Sequence, residues 1–354
     1  MARAKTAFVC NDCGSDYSKS QGQCNDCGAW NTIVEVRLGS ARGTRSAAGR
    51  RQGFAGQLAP ARVLEDIALE ELARIPTGTA EFDRVLGGGL VPGSAILIGG
   101  SPGAGKSTLL LQTLCHLAQT LPALYITGEE SLQQVAMRAQ RLGLPMDQLK
   151  LMAETSVEAI LATMESERPR VLVVDSIQVV HSEELNAAPG SVSQVRDCAA
   201  RLTRAAKHSG AVVLLVGHVT KDGSLAGPKV LEHMIDCSVL LESSDDARFR
   251  TLRGQKNRFG AVSELGIFAM TERGLREVKN PSAIFLERGE TLASGSVVMV
   301  VWEGSRPLLV EIQALVDDSP LGNPRRLAVG LEQNRLAMLL AILHRHGGLQ
   351  VGDQ

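Results

Sequence analysis

The stretch GGSPGAGKST, Gly99–Thr108, constrains this chain more than any other. It follows the apolar run AILI and opens STLLLQTLCHLAQ, so a buried strand turns through glycines into a helix. From Gly100 to Ser107 it matches G-x-x-x-x-G-K-[ST], the phosphate-binding loop, in the strand–loop–helix setting that motif requires. Gly100, Ser101, Pro102, Gly103, Ala104 and Gly105 would wrap backbone N–H groups around phosphates at the helix N-terminus. Lys106 would neutralise the β- and γ-phosphates, and Ser107 would ligate Mg²⁺, with Thr108 beside it. The expected ligands are ATP or ADP with Mg²⁺.

Around that loop, short apolar runs alternate with helical stretches: 95–100, 123–130, 171–176, 211–218 and 237–242. None alternates apolar with polar, as expected of strands buried on both faces. The pairs Ser131/Gln134, Thr155/Glu158 and Ser191/Gln194 read as capping boxes that start the helices. Strand–helix alternation predicts an α/β fold with a parallel sheet.

Ligands in such sheets sit beyond the strands' C-terminal ends. VLVVD ends in Asp175, which suits Mg²⁺ coordination through water. ALYITGEES ends in Glu129 and Glu130; one carboxylate there would activate the attacking water. Glu129 is the catalytic candidate, and Glu130 is read as a charge favoured by the following helix dipole. His218 ends a further strand. Two long connectors follow strand ends, 181–194 and 220–233, and Lys221 and Lys229 bracket the second. Neither contains an aromatic, so contact with nucleic-acid backbone phosphates is the expected mode rather than base stacking.

The N-terminal segment holds CNDCG twice, giving Cys10, Cys13, Cys24 and Cys27 in a C-x₂-C–x₁₀–C-x₂-C pattern. Four thiolates at this spacing suit a closed structural Zn²⁺ site, which supplies the stability that so short a segment lacks. A redox dithiol is the weaker alternative, because no βαβ pattern surrounds it. Cys115, Cys198 and Cys237 fall in apolar contexts and read as buried thiols. That is reduced, cytoplasmic cysteine usage. No apolar run is long enough to span a bilayer. Between Val36 and Val63 lie six Arg and no acid, a flexible basic linker by composition. The net charge is −1, so any affinity for polyanions has to come from local patches.

Past the parallel unit the period changes. FRTLRGQKNRFGAVSELGIFAMTERGLREV reads as consecutive strands turning at Gly254, Gly260 and Arg273–Gly274. From Pro281 onwards the pattern gives two strands joined at Glu303–Gly304 and then a helix. A further strand is expected after VGDQ, so the last domain reads as truncated.

TGTAEFDRVLGGGLVPGS ahead of the loop, GEES, VVDS, the paired CxxCG knuckle and KNRFG together resemble the RadA (Sms) family of bacterial DNA-repair proteins. The resemblance covers essentially the whole chain. It implies a RecA-like P-loop ATPase core, similar to RecA and to hexameric replicative helicases. An N-terminal four-cysteine zinc knuckle and a partial C-terminal Lon-protease-like α+β domain flank that core. The implied divisions are 1–36 knuckle, 37–66 linker, 67–280 ATPase and 281–354 Lon-like, without a protease active site. The implied activity is that of a DNA-dependent ATPase and helicase. It would act as a hexameric ring on single-stranded and branched DNA, promoting branch migration with RecA in homologous recombination and repair. Lys256 and Arg258 of KNRFG would then complete the nucleotide site of a neighbouring subunit, the arginine-finger role. The competing role for them is DNA contact in the ring lumen, helped by Arg248, Arg250 and Arg253. Two rival functions stay open: a regulatory ATPase switch of the clock-protein kind, and a non-enzymatic recruiter of RecA.

Overall fold

Three short strands near the N-terminus, β1 (Lys5–Cys10), β2 (Asp16–Tyr17) and β3 (Ile33–Leu38), pair antiparallel in the order β2-β1-β3. The computed structural model describes residues 5–10, 15–17, 19–25, 27–38, 73–217, 229–244, 248–286, 295–316, 326–330 and 332–348. The chain divides into two units, Met1–Lys279 with Glu303–Arg306, and Asn280–Trp302 with Pro307–Gln354. The basic segment from 39 to 72 lies outside the described residues.

The apolar runs form the centre of the first unit. Helix α1 (Ala80–Leu86) precedes β4 (Ala95–Gly100), and the phosphate loop leads into α2 (Lys106–Leu117). Then come β5 (Ala123–Thr127), α3 (Leu132–Leu142), β6 (Lys150–Ala153), α4 (Val157–Glu167), β7 (Val171–Asp175), α5 (Val192–Ser209) and β8 (Val212–Val216). The short α6 (Lys229–Glu232) leads to β9 (Cys237–Ser243), β10 (Phe249–Asn257), β11 (Leu265–Thr271) and β12 (Gly274–Glu277). All nine strands from β4 to β12 join one sheet, ordered β12-β11-β10-β9-β4-β8-β7-β5-β6. The six from β9 to β6 in that order are parallel, and β10 to β12 extend the sheet antiparallel.

Parallel strands must be covered on both faces, and here they are. Side chains of α1, α2 and α3 such as Phe82, Leu110 and Val135 fill one core against Ile98, Tyr125 and Val173. Side chains of α4, α5 and α6 such as Ile160, Leu202 and Leu231 fill the other against Leu97, Ile126 and Val174. Each fully buried aliphatic or aromatic chain contributes about 1.5–3 kcal/mol over leaving it in water. Cys115, Cys198 and Cys237 are buried, and burial pushes the last two thiols up to about 12. Among the described residues no helix is long and apolar enough to cross a membrane.

Local signals place most element starts correctly, with three differences. Ser131 and Gln134 form a reciprocal capping box. The cap of α4 is Ser156 rather than Thr155, because the Glu154 carboxylate takes the Thr155 and Ser156 N–H groups and shifts the helix start by one residue. Ser191 caps α5, but Gln194 turns inward to Ser182 instead of closing its box. Gly254 is not a turn: β10 runs through it with a bulge between Gly254 and Lys256, and the chain turns after Asn257.

The second unit carries most of the hairpin β13 (Ser296–Glu303) and β14 (Arg306–Gln313), together with helix α7 (Gln333–Gly347). Val297, Val298 and Trp302 of β13 and Met338, Leu339 and Ile342 of α7 are exposed.

Candidate functional site

The phosphate loop packs against backbone too closely for any side chain at its first residue. A Cβ on Gly100 would lie 2.4 Å from the Leu241 carbonyl oxygen of β9. Lys106 is buried and donates from Nζ to the carbonyls of Gly100 (2.7 Å) and Ser101 (3.0 Å). Burial lowers its pKa, and the charges of Asp175 and Glu129 oppose that shift. From β10, the Arg250 Nε donates to the Ala104 carbonyl at 2.9 Å.

Pairing of β5 with β7 sets Thr127 beside Asp175, and the Gly128 N–H donates to the Asp175 carbonyl at 2.8 Å. That register brings Glu129 to the same edge. Tyr125 Oη donates to Asp175 Oδ2 at 2.5 Å, and Ser176 Oγ donates to Glu129 Oε1. Glu130 instead pairs with Arg138, and its N–H bonds Thr127 Oγ1 at 3.0 Å. The two adjacent glutamates thus have separate surroundings, Glu129 toward the loop and Glu130 toward α3. A cleft of about 540 Å³ opens beside Thr108, lined by Arg141, Leu142, Met270 and the β11–β12 turn. A larger cleft, about 1030 Å³, lies between the C-terminal ends of α4 and α5, away from the phosphate loop.

The KNRFG turn occupies the other end of the sheet. Asn257 lies opposite Cys237, and Cys237 opposite Ile96, whereas the loop begins at Gly100 opposite Leu241. Four residues of strand separate the two levels, about 13 Å. Lys256 Nζ donates to the carbonyls of Glu232 and Ile235, the latter at 2.8 Å. Arg258 Nη1 meets Asp236 Oδ1 at 3.1 Å, and Nη2 reaches the His233 carbonyl at 3.4 Å. Burial, then the Arg258 charge, lowers the Lys256 pKa. Asn257 Oδ1 accepts the Phe259 N–H at 2.9 Å, and Arg74 Nη2 donates to the Phe259 carbonyl at 2.5 Å. Gly260 packs closely on the α1 end: a Cβ there would lie 3.2 Å from the Gly87 Cα.

One expected DNA contact is corrected. Arg250 is only 7% exposed and is bonded to the Ala104 carbonyl, so DNA cannot reach it. Arg248 is exposed at the start of the same strand region. Lys229 opens α6; Lys221 and His218 lie outside the described residues. The connector 181–194 is held by Gln194, whose Nε2 donates to the carbonyls of Ser182, Leu185 and Ala187. Tyr125, Ser176 and Arg138 are site neighbours that motif reading missed, and Arg250 is one it placed on DNA instead. VVDS itself contains Ser176, and the alternation along β10 puts Arg250 on the inward side.

In the N-terminal sheet the Sγ atoms of Cys10, Cys24 and Cys27 lie within 4.8 Å of one another, with Cys10 and Cys27 3.7 Å apart. A tetrahedral Zn–S site, with bonds of about 2.3 Å, requires sulfurs about 3.8 Å apart, so the donor set fits zinc. Cys13, the expected fourth ligand, lies outside the described residues. Tyr17 Oη and Thr32 Oγ1 approach the sulfurs of Cys24 and Cys10 at 3.1 and 3.2 Å.

Comparison with known proteins matches both regions. Residues 64–224 match a family described as "AAA domain", and residues 8–35 one described as "Rubredoxin metal binding domain". Across its whole length the chain is 68% identical to the DNA repair protein RadA of Escherichia coli K12, covering 77% of that protein. It is 66% identical to that of Haemophilus influenzae and 46% identical to that of Bacillus subtilis, with the same coverage. The α/β core with its ATPase domain and the N-terminal cysteine cluster agree with those matches, and the chain belongs to the RadA family of DNA repair proteins.

Proposed function

We propose that this chain is an ATP-driven motor on single-stranded and branched DNA. It works as a ring, hexameric by its likeness to replicative helicases, and promotes branch migration with RecA in the cytoplasm. The observation that carries this reading is the position of Lys256 and Arg258. They sit at the sheet end opposite their own phosphate loop, and their side chains turn to residues 232–236. Cations so placed serve a nucleotide only if it belongs to another subunit, and that requires an assembly.

Within one subunit the chemistry divides among named groups. Lys106 exchanges the carbonyls of Gly100 and Ser101 for phosphate oxygens. The loop from Gly100 to Thr108 cradles the phosphates, and the cleft beside Thr108 suits the nucleoside. Ser107 and Asp175 would hold Mg²⁺, which neutralises charge on the β- and γ-phosphoryl oxygens. Glu129, fixed by Ser176, takes the proton of the attacking water. Arg258 and Lys256 of the neighbour stabilise charge on the transferred phosphoryl group. Lys221, Lys229 and Arg248 contact the DNA backbone. Cys10, Cys13, Cys24 and Cys27 would hold a structural Zn²⁺ in a knuckle over 1–36, joined by a linker to an ATPase core over 67–280. We assign the remainder, 281–354, to a Lon-like fold.

Subunit mixing tests the reading. Arg258→Ala and Lys106→Ala should each be inactive alone. Mixed, some interfaces pair an intact phosphate loop with an intact Arg258, and ATPase activity should return. Fingers contribute about 10³–10⁵ in rate, diluted here by the fraction of productive interfaces. Mixed rings that co-assemble yet stay inactive would remove the trans role.

A further inference from the structure

Asp236 is a buried carboxylate, 1% exposed, directly before β9. Its Oδ2 accepts from the Ala95 N–H at 3.1 Å and from Lys207 Nζ at 2.9 Å. Its Oδ1 accepts from Lys207 Nζ at 2.9 Å and from Arg258 Nη1 at 3.1 Å. Its carbonyl accepts the Arg258 N–H at 3.0 Å. A buried carboxylate is normally paired with a cation. Lys207, reaching both oxygens from α5, already fills that role. Arg258 is therefore not required for neutrality, and its contact does something else.

The geometry shows what. Backbone and side chain of Arg258 both bind Asp236, so the guanidinium is gripped along its Nη1 edge. Its side chain is still 50% exposed. The remaining edge is lightly held, because the Nη2 contact to the His233 carbonyl is long at 3.4 Å. Lys256 is seated on the same turn, through the carbonyls of Glu232 and Ile235. The pose of both cations is thus set by residues 232–236.

We propose that Asp236 is a positioning residue. It fixes one edge of the Arg258 guanidinium so that the other edge meets an anionic phosphate oxygen at the subunit boundary, and Lys207 supplies the carboxylate's paired cation. The inference rests on the trans role of Arg258 given above. It makes the finger a carboxylate–guanidinium unit rather than a lone side chain, and a gripped guanidinium loses less freedom on meeting the phosphate.

The test uses the full chain and three mixtures. Asp236→Asn keeps the volume and an acceptor for Ala95 but cannot orient Arg258 by charge. It should assemble and lose at least about tenfold in ATPase, a share of the finger contribution. Mixed with Lys106→Ala it should regain activity, because the neighbour supplies a seated finger. Mixed with Arg258→Ala it should not, because no subunit then has one. Lys207→Gln/Asp236→Asn replaces the ion pair with a neutral amide pair and guards against misfolding. It should melt near the parent temperature and show the same mixing pattern. Rescue of Arg258→Ala by Lys106→Ala alongside parent-like activity, within about twofold, in the folded double variant would overturn this inference alone. So would an Asp236→Asn defect that Lys106→Ala cannot rescue, since Asp236 would then serve folding. Failure of Arg258→Ala to be rescued would remove the trans role first, and this inference with it.

Discussion

Lys106 is held by two backbone carbonyls of its own loop, and those contacts are the ones a phosphate would replace. Lys106→Ala should therefore abolish turnover, because no other described cation lies in the loop. Residual hydrolysis near the parent rate would sink the assignment. Asp175→Asn should behave differently: the Tyr125 hydroxyl can still bond the amide oxygen, so the edge keeps its shape and nucleotide still binds in part, while Mg²⁺-dependent turnover falls. Fluorescent nucleotide binding beside an ATPase assay separates the two. These residues stand out in the sequence because each sits in a short local motif. Their supports do not. Tyr125 reaches Asp175 across 50 positions, Ser176 reaches Glu129 across 47, and Arg250 reaches Ala104 across 146. Only strand register creates such contacts. Arg250 shows the cost of reading charge without period: among Arg248, Arg250 and Arg253 it looks like another surface cation, yet its inward place in β10 makes it a brace for the phosphate loop.

At the level of elements, continuous apolar runs gave the buried strands well, since burial on both faces leaves no other sequence for them. Caps were legible to within one residue. The α4 start slipped because Glu154, outside the S/T-x-x-E/Q pattern, competes for the same N–H groups. The cysteine knuckle carries the clearest prediction of this class. Cys24→Ser with Cys27→Ser should release zinc and unfold the β1–β3 sheet, because so short a segment depends on the metal for its folding. The melting of the large sheet should stay where it was, because its two cores contain none of these residues. Metal analysis of the purified parent, with melting curves for both proteins, checks both halves. A parent without zinc, or a core that melts early in the variant, would contradict it.

For the whole molecule, DNA engagement through phosphate contacts implies affinity that falls steeply with salt. Lys221→Ala and Lys229→Ala should each reduce the log–log salt slope by about 0.7 on single strands, without changing sequence preference. Arg250→Ala should leave that slope alone and impair turnover instead, since it loosens the loop at Ala104. Fluorescence anisotropy across a salt series measures both, and a flat response would argue against the loop contacts. The burial of Arg250 at one end of β10, with Arg258 just past the other, has a consequence for timing. In the ring proposed above, that strand would be a bar about 26 Å long at ~3.3 Å per residue, reaching its own subunit's phosphate loop at one end and its neighbour's nucleotide at the other. Firing at one site would then prime the next in sequence. Softening the bar at its Gly254–Lys256 bulge would lower the Hill coefficient for ATP before it lowers the rate.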